Sequence, residues 1–538
     1  MKKFFYLGII FILLFSCVTS DITQKTHEEI LVILHTNDTH GHPLKFYNYP
    51  APDVGGIPAR ATLVNEIRES YNNVLVLDAG DINTGRPESN FFKALPDIKG
   101  YNYMKYDAVV FGNHEFDNPM DILLAQMQNA KFTFISANVL KKNGEYLGKP
   151  YIIKDFGDFK VGIFGLTTKE TEIVGNPDTI KELIFLDEIE TAKKIVAELE
   201  DKVDVIIALT HMGIFEDSNT GSKKLAKNVK GIDLIIDGHS HTEIEKPIYI
   251  NNTPIVQAWQ WGLVLGKCVM KIKNKKITGL NWESIPINLK KVAGENNGVK
   301  EYEFIDKEIP EDKKILAELE TYSKKVDKIL SEVIGEAQDD FFNEKSRIEE
   351  TPIGDLISDA MEWYGKNIGV DFAVQNGGGI RTGIPKGKIT KKVIYEVIPF
   401  DNSQVVLTLT GKEVADLFNF FAGIKQGDGA FPQVSKNVSF TLNYEKQKCE
   451  NILISGKPID LNRKYKVATN SYLAIGGNGY IIFKNAKEKY DTSRFQRDVL
   501  IDYIKYLKGK IIPKNNNRIK IIGKNQAIIL YRLIKVAA

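Results

Sequence analysis

The chain carries eight histidines, at positions 27, 35, 40, 42, 114, 211, 239 and 241, and none follows His241 in a sequence of 538 residues. Imidazole chemistry is thereby confined to the first half. Five of these histidines, at 40, 114, 211, 239 and 241, follow short apolar runs. Run 30–34 leads into Thr36-Asn37-Asp38-Thr39-His40-Gly41, run 74–77 into Asp78-Ala79-Gly80-Asp81, and run 108–111 into Gly112-Asn113-His114-Glu115-Phe116-Asp117. Run 205–209 leads into Thr210-His211-Met212-Gly213, and run 234–236 into Asp237-Gly238-His239-Ser240-His241. Runs of this kind read as buried strands, and ligands of layered α/β sheets bind outside the carboxyl ends of the strands. The glycines permit the tight turns that aim the side chains. One such strand end is ordinarily a hydrogen-bonded loop; five together point to one site. Asp38, His40, Asp81, Asn113, His211, His239 and His241 bring it seven nitrogen and oxygen donors and no cysteine. That is too many for one metal ion and suits two that share a bridging carboxylate. Imidazole mixed with carboxylate favours Zn, Mn, Fe or Co over Ca.

The elements that must position these residues follow from the same pattern. From about residue 30 to 273, strand-like runs alternate with helix-like stretches, which predicts an α/β layered domain. The pattern changes over 309–336. There Pro310 opens a charged segment in which Ile315, Leu319, Tyr322, Val326, Ile329 and Val333 recur at steps of four and three. This predicts one amphipathic helix that bridges two domains, ends near Gly335 and serves as a hinge. Thr351 then caps a second helix with Pro352 in its first turn and Ile353, Leu356, Ile357, Ala360, Met361 and Tyr364 on its inner face. Strand-like runs at 370–374, 405–409, 438–442 and 466–469 make the remainder a second α/β domain.

Composition excludes other classes. Apolar residues make up 43% and charged residues 26%, ordinary for a globular protein. Lys+Arg 71 against Asp+Glu 69 leaves no broad basic surface for a nucleic acid polymer. The surplus is Lys2 and Lys3, which precede an apolar run over 4–15 that is too short to span a bilayer. Residues 1–16 therefore read as a signal peptide. Leu14-Phe15-Ser16-Cys17 resembles a bacterial lipobox, which would leave Cys17 bearing a lipid anchor in a membrane; an ordinary signal peptide with an incidental cysteine is the other reading. Residues 17–28, with His27, form a tether. Cys268, in the strand-like run 264–272, and Cys449 lie far apart, and no structural disulfide is expected.

In their order and spacing, the Asp-x-His, Gly-Asp, Gly-Asn-His-Glu-Phe-Asp, Thr-His-Met-Gly and Gly-His-Ser-His motifs resemble those of the binuclear metallophosphoesterases. More narrowly, the chain resembles the two-domain bacterial 5′-nucleotidase/UDP-sugar hydrolase family, from about residue 30 to 522. The resemblance implies a four-layer α/β sandwich over 29–305, the linker helix over 309–336 and a nucleotide-recognition α/β domain over 337–523, followed by a tail, 524–538. It also implies that Asp38, His40 and His241 hold one divalent metal ion, that Asn113, His211 and His239 hold a second, and that Asp81 bridges them. Relatives often carry Gln or Asn where His241 stands. Two such ions generate hydroxide near neutral pH and clamp the attacking and leaving oxygens of an in-line displacement. His114, beside Asn113, would reach the phosphoryl group, and Asp117 would accept its other N–H, favouring an imidazolium that stabilises phosphoryl charge. His35 is expected to pack beneath the first motif and His42 to be a loop residue.

Substrate recognition falls to the second domain. Only ten of the 71 basic residues are Arg, and Arg347 and Arg381 match the family's substrate-binding arginines. Their planar forks suit phosphate and ribosyl oxygens. In Gln375-Asn376-Gly377-Gly378-Gly379-Ile380-Arg381, the glycines, Gly378 among them, would let the backbone approach a ligand, with Asn376 offering donor and acceptor to a base. Phe400 and Tyr472 match the aromatics that sandwich the base. One departure stands out: the family's Gly-Gly-Asp-Gly is Gly476-Gly477-Asn478-Gly479 here, so a neutral amide replaces the charged acceptor for ribose hydroxyls. Tyr480 follows it and should pack.

The expectation is an enzyme outside the cytoplasm, at the periplasm or cell surface, that releases phosphate from nucleoside 5′-monophosphates. A 2′,3′-cyclic phosphodiesterase/3′-nucleotidase and a UDP-sugar pyrophosphatase are the alternatives within the superfamily. A surface-binding lipoprotein with an inactive site is the alternative outside it. The first domain should supply the chemistry, and the second only the choice of substrate.

Overall fold

The structure is a computed structural model and describes residues 28–48, 51–215, 217–296, 299–400 and 402–523. The signal segment, Cys17, His27 and the 524–538 tail lie outside the described residues. Among the described residues no helix is long and apolar enough to cross a membrane.

Two six-stranded sheets face one another in the first domain. One runs, in spatial order, Lys276–Pro286, Val264–Lys273, Glu28–Thr36, Asn73–Asp78, Ala108–Val110, Thr133–Ile135. The other runs Ile248–Ile250, Thr253–Gln257, Leu234–Asp237, Val205–His211, Lys160–Thr167, Tyr151–Asp155. Leu31, Ile33, Leu75 and Leu77 of the first sheet meet Val161, Ile163, Ile207 and Ile236 of the second in a fully buried layer. Because strands are covered on both faces, they read as unbroken apolar runs rather than alternating ones. Helices Ile57–Ser70 and Leu95–Met104 cover the outside of one sheet, and Glu188–Leu199 and Gly221–Asn228 cover the other. The four-layer sandwich is thus present. Cys268 is buried within its strand and is a free thiol, as is half-buried Cys449.

The bridging helix is shorter than its periodicity predicts. It spans Lys313–Leu330, with the Asp312 carboxylate accepting from the Lys314 and Ile315 amides as N-cap. Ile315 and Leu319 sit in the first domain's helical core, Leu330 fills the last seam position, and Ile329 is exposed. Val333 and Gly335 belong instead to the strand Val333–Ala337, which pairs with Gly387–Thr390 and Lys510–Ile511 in the second domain. Steps of three and four cannot separate one further helical turn from a short strand, and backbone pairing decides for the strand: Glu336 and Ala337 pair with Lys388 and Gly387 on one side and with Lys510 and Ile511 on the other. Gly335 is therefore no helix stop: a side chain there would meet the Gly509 carbonyl at 2.7 Å.

In the second domain, a five-stranded sheet runs Pro432–Val434, Phe372–Asn376, Lys464–Asn470, Ser403–Thr410, Glu488–Phe495. Helix Pro352–Gly365 packs on it, its N-cap Thr351 accepting from the Gly354 amide as the sequence predicts. The two domains meet along helix Lys391–Val397. Its Glu396 pairs with Arg86 at 2.8 Å, Lys392 bonds Glu88 and Asp327, and Tyr395 stacks on Phe91 at 5.5 Å.

Candidate active site

Strand register brings the candidate donors together. Thr36 pairs with Asp78, and Asp78 with Val109, so three loops leave one sheet edge side by side. The ladder continues beyond the strands: Ala79 N–H donates to the Thr36 carbonyl, Asp38 N–H to Gly80, and His40 N–H to Asp81, at 2.8, 2.9 and 2.9 Å. The facing sheet contributes His211 at the end of Val205–His211 and His239 and His241 just beyond Leu234–Asp237. Asp38, His40, Asp81, His239 and His241 all have positive φ, between 43° and 79°, where non-glycine residues are uncommon. Backbone strain of this kind gathers at functional sites.

All seven donors converge. His211 Nε2 is 3.1 Å from Asp81 Oδ2 and 3.3 Å from Asn113 Oδ1, and His239 Nδ1 is 2.9 Å from the same Asn113 oxygen. On the other side His241 Nε2 lies 3.3 Å from Asp38 Oδ1 and 3.1 Å from His40 Nε2, which is 3.8 Å from Asp81 Oδ2. Two groups capable of holding a metal ion result, Asp38 with His40 and His241, and Asp81 with His211 and His239. A third group joins Asp81 to His40 and His114, so Asp81 lies between the two sides. Asn113 adds its carboxamide oxygen to the second side. Imidazoles, carboxylates and a carboxamide converging without a cysteine fit divalent transition metals. Burial works against charge on Asp81, yet the imidazoles of His211 and His114 hold its carboxyl well below the usual range.

His114 adjoins this cluster at His40 and Asp81. Its Nδ1 is 2.7 Å from Asp117 Oδ2, which also accepts from Thr84 Oγ1. Burial disfavours the imidazolium, but Asp117 and then Asp81 outweigh it and raise the pKa. His35 is buried, accepts from Trp282 Nε1 at 2.9 Å and is pushed down to about 3 by burial, so it packs beneath the motif as expected. His42 stacks on Trp261 and bonds the Thr39 carbonyl.

The second domain closes the site as one cleft of about 3800 Å³. Asp81, Asn113, His114, Asp117, His239 and His241 line one wall, and Arg347, Asn376, Gly378, Phe400, Tyr472 and Asn478 line the other. Arg381 reaches furthest: its Nη2 is 3.2 Å from His40 Nε2, and its guanidinium lies 5.9 Å from the Phe400 ring. Burial and then Arg347 lower its pKa to about 10. Phe400 faces the His114 ring at 6.1 Å. Tyr472 lies flat against Gly477, where a side chain would come within 2.4 Å of it. Two of these residues also serve packing within the domain. Asn376 engages one N–H and its oxygen inside the protein, Nδ2 donating to Asn478 Oδ1 at 2.9 Å and Oδ1 accepting from Asn470 at 3.1 Å. The missing side chain of Gly378 admits the Gly429 backbone, 2.9 Å from where its Cβ would be, so loop packing requires this glycine. Tyr480 is fully buried and donates to the Ala430 carbonyl, as expected.

Sequence reasoning missed several orienting residues. Glu115 is buried and accepts from the Asp81, Ile82, Asn83 and Gly112 amides, its Oε2 bonding Asp81 and Gly112 at 2.9 and 2.6 Å. Burial and the Asp81 charge raise its pKa to about 7. Gln260 and Glu170 contact the outer nitrogens of His241 and His239. The strand-end rule could have found these last two, because they follow the strands Thr253–Gln257 and Lys160–Thr167. Glu115→Gln should strip the N–H groups at one oxygen of their acceptor, at about 1–3 kcal/mol for each group left unpaired. A lowered thermal midpoint of the metal-free protein would register this; an unchanged midpoint would refute the anchoring role.

Comparisons with known proteins agree with this geometry. Residues 31–243 match the calcineurin-like phosphoesterase family, and 333–485 match the 5′-nucleotidase C-terminal domain. Protein UshA of Salmonella pullorum is 36% identical over 514 residues, covering 89% of this chain and 91% of that protein. A 5′-nucleotidase of Vibrio vulnificus is 35% identical over 518 residues, covering 90% and 91%. Among solved structures, a 5′-nucleotidase precursor from Thermus thermophilus superposes with a TM-score of 0.81 at 31% identity, covering 92% of this chain and 100% of that one. On the paired domain matches and on relatives that span nearly its whole length, the chain belongs to the two-domain 5′-nucleotidase family and is a metal-dependent phosphoesterase.

Proposed function

We propose that the protein removes phosphate from nucleoside 5′-monophosphates, with Asp38, His40 and His241 holding one divalent ion, Asn113, His211 and His239 a second, and Asp81 shared by both. The observation that carries this reading is the meeting of Arg381 with His40 across the domain boundary. An anion held by the metal side is within reach of a guanidinium from the domain that carries Phe400 and Tyr472. Ions at these positions supply Lewis acidity toward phosphoryl oxygens and lower the pKa of water. The chain's own residues do the rest. Arg381 binds phosphoryl oxygens through its fork, His114 presents N–H to the same group, and Asp117 keeps that ring turned toward it. Phe400 and Tyr472 offer ring faces to the base. The segment from Lys2 to Cys17 supports action outside the cytoplasm at a lipid anchor.

Phosphate release from AMP, UMP, 3′-AMP, cyclic nucleotides, ATP and UDP-glucose tests the reading, with AMP and UMP expected to lead. UDP-glucose in the same panel tests the sugar-nucleotide alternative.

The position of Arg381 also revises the expected division of labour. Because it reaches the metal side, Arg381→Ala should weaken use of both nucleotides and a small aryl phosphate, mainly through KM. The loss should be about 1.5–3 kcal/mol, as for a charged hydrogen bond, or roughly 10- to 150-fold. Tyr472→Ala should affect nucleotides alone. An aryl phosphate indifferent to Arg381→Ala would restore the simpler division.

A further inference from the structure

We infer that Glu170 is a positioning residue for His239, accepting the outer ring N–H of that imidazole so that Nδ1 stays turned toward Asn113 and Asp81; the inference rests on the two-ion reading above. Each of the four clustered imidazoles has one nitrogen inside and one outside. For His40, His211 and His241 the inner atom is Nε2. Their outer Nδ1 atoms meet neutral oxygens, the Asn83 carbonyl at 3.1 Å, the Ala79 carbonyl at 2.6 Å and Gln260 Oε1 at 2.5 Å. His239 is reversed. Its Nδ1 is inside, 2.9 Å from Asn113 Oδ1, and its Nε2 points out to Glu170 Oε2 at 3.2 Å. Of the four outer acceptors, only this one is a carboxylate.

A neutral imidazole carries one N–H, and the group that accepts it decides which nitrogen keeps a lone pair for a metal. The bond also selects the ring's orientation. A half-turn about Cβ–Cγ would replace Nδ1 by a carbon on the inner side and break the contact with Glu170. His211 is fully buried, whereas the His239 side chain is 15% exposed, so packing alone restrains it less.

The Glu170 side chain is itself half-exposed, but its backbone is braced from three directions. Its N–H donates to Thr168 Oγ1 at 3.2 Å, and the Thr168 N–H donates to the His211 carbonyl at 2.9 Å. The adjoining helix Thr171–Val174 packs against the Gly477–Gly479 turn of the second domain. Asn176 Nδ2 then donates to the Asp117 carbonyl at 3.1 Å. The segment is pinned to a metal-side strand, to the His114–Asp117 loop and to the substrate domain at once.

The test is a titration of the chelator-stripped full chain with Co²⁺, followed by calorimetry and by visible absorption. The wild type is expected to bind two ions. Glu170→Ala should hold one with wild-type affinity and the other ~10–100-fold more weakly, the usual effect of deleting an outer partner, with the thermal midpoint of the metal-free protein unchanged. Glu170→Gln can accept the same N–H, as Gln260 does for His241, and should recover most of that affinity. Wild-type binding of both ions by Glu170→Ala would overturn the inference, as would a Gln variant as weak as the Ala variant. A fall in the metal-free midpoint that accompanies the weakening would assign Glu170 a folding role instead. A wild type that binds fewer than two ions would overturn the two-ion reading and this inference with it.

Discussion

Asp81→Ala is expected to remove nearly all hydrolysis and most bound metal. Asp81 stands between the His211–His239 side and the His40 side, with Oδ2 3.1 Å from His211 and 3.8 Å from His40. Its other oxygen accepts the His114 backbone N–H at 2.8 Å. Deleting the carboxylate takes an anionic ligand from both proposed ions at once and leaves a buried amide unpaired. The activity loss should therefore exceed the ~10²–10³-fold cost of deleting one transition-state donor. Position 81 also has φ of 60°, a region that costs an ordinary L-residue about 1–2 kcal/mol and that asparagine adopts more readily than alanine. Asp81→Asn separates the two effects, since it keeps the backbone conformation and an acceptor for the His114 amide. Asn should fold as the wild type does and still lose metal, measured by elemental analysis after gel filtration. Full metal content in Asp81→Asn would show that Asp81 is not shared.

Much of this site was legible in the sequence, because strands covered on both faces make plain apolar runs and the chemistry follows each run. Asp38, Asn113 and His211 could be singled out by that rule alone. It could not show that the donors come from two facing sheets, since a run of Val and Ile is the same in either. Nor could it find Glu115, whose work is to accept from four amides: an acid bonded to backbone has no partner in the sequence. Arg381 was identified, but its reach to His40 was not, because contacts between domains depend on a packing angle that no local pattern carries. Over 313–337 the periodicity was real for the helix and accidental for Val333. The substrate loops were harder still. The side-chain bond from Asn376 to Asn478 spans 102 residues, and nothing near either position announces it.

His114→Ala should lower turnover by roughly 10²–10³-fold while leaving metal content unchanged. His114 touches the cluster at His40 and Asp81, but its Nδ1 is engaged by Asp117 at 2.7 Å, and the ring faces Phe400 across the cleft rather than the Asn113 oxygen that His211 and His239 approach. Asp117, with Asp81 behind it, raises the His114 pKa against the effect of burial, so the ring can bring positive charge to the phosphoryl oxygens. A group that stabilises charge on those oxygens serves every ester alike. A group that protonates the departing oxygen matters most when that oxygen leaves as a poor leaving group. The loss in His114→Ala should therefore be similar for AMP, which expels an alkoxide, and for a nitrophenyl phosphate, which expels a stable phenolate. Asp117→Asn should produce a smaller loss of the same even kind, because the ring remains but is less firmly turned and less charged. A deficit large for AMP and absent for the aryl ester would make His114 the proton donor to the leaving group. Loss of metal in His114→Ala would put the residue among the ligands instead.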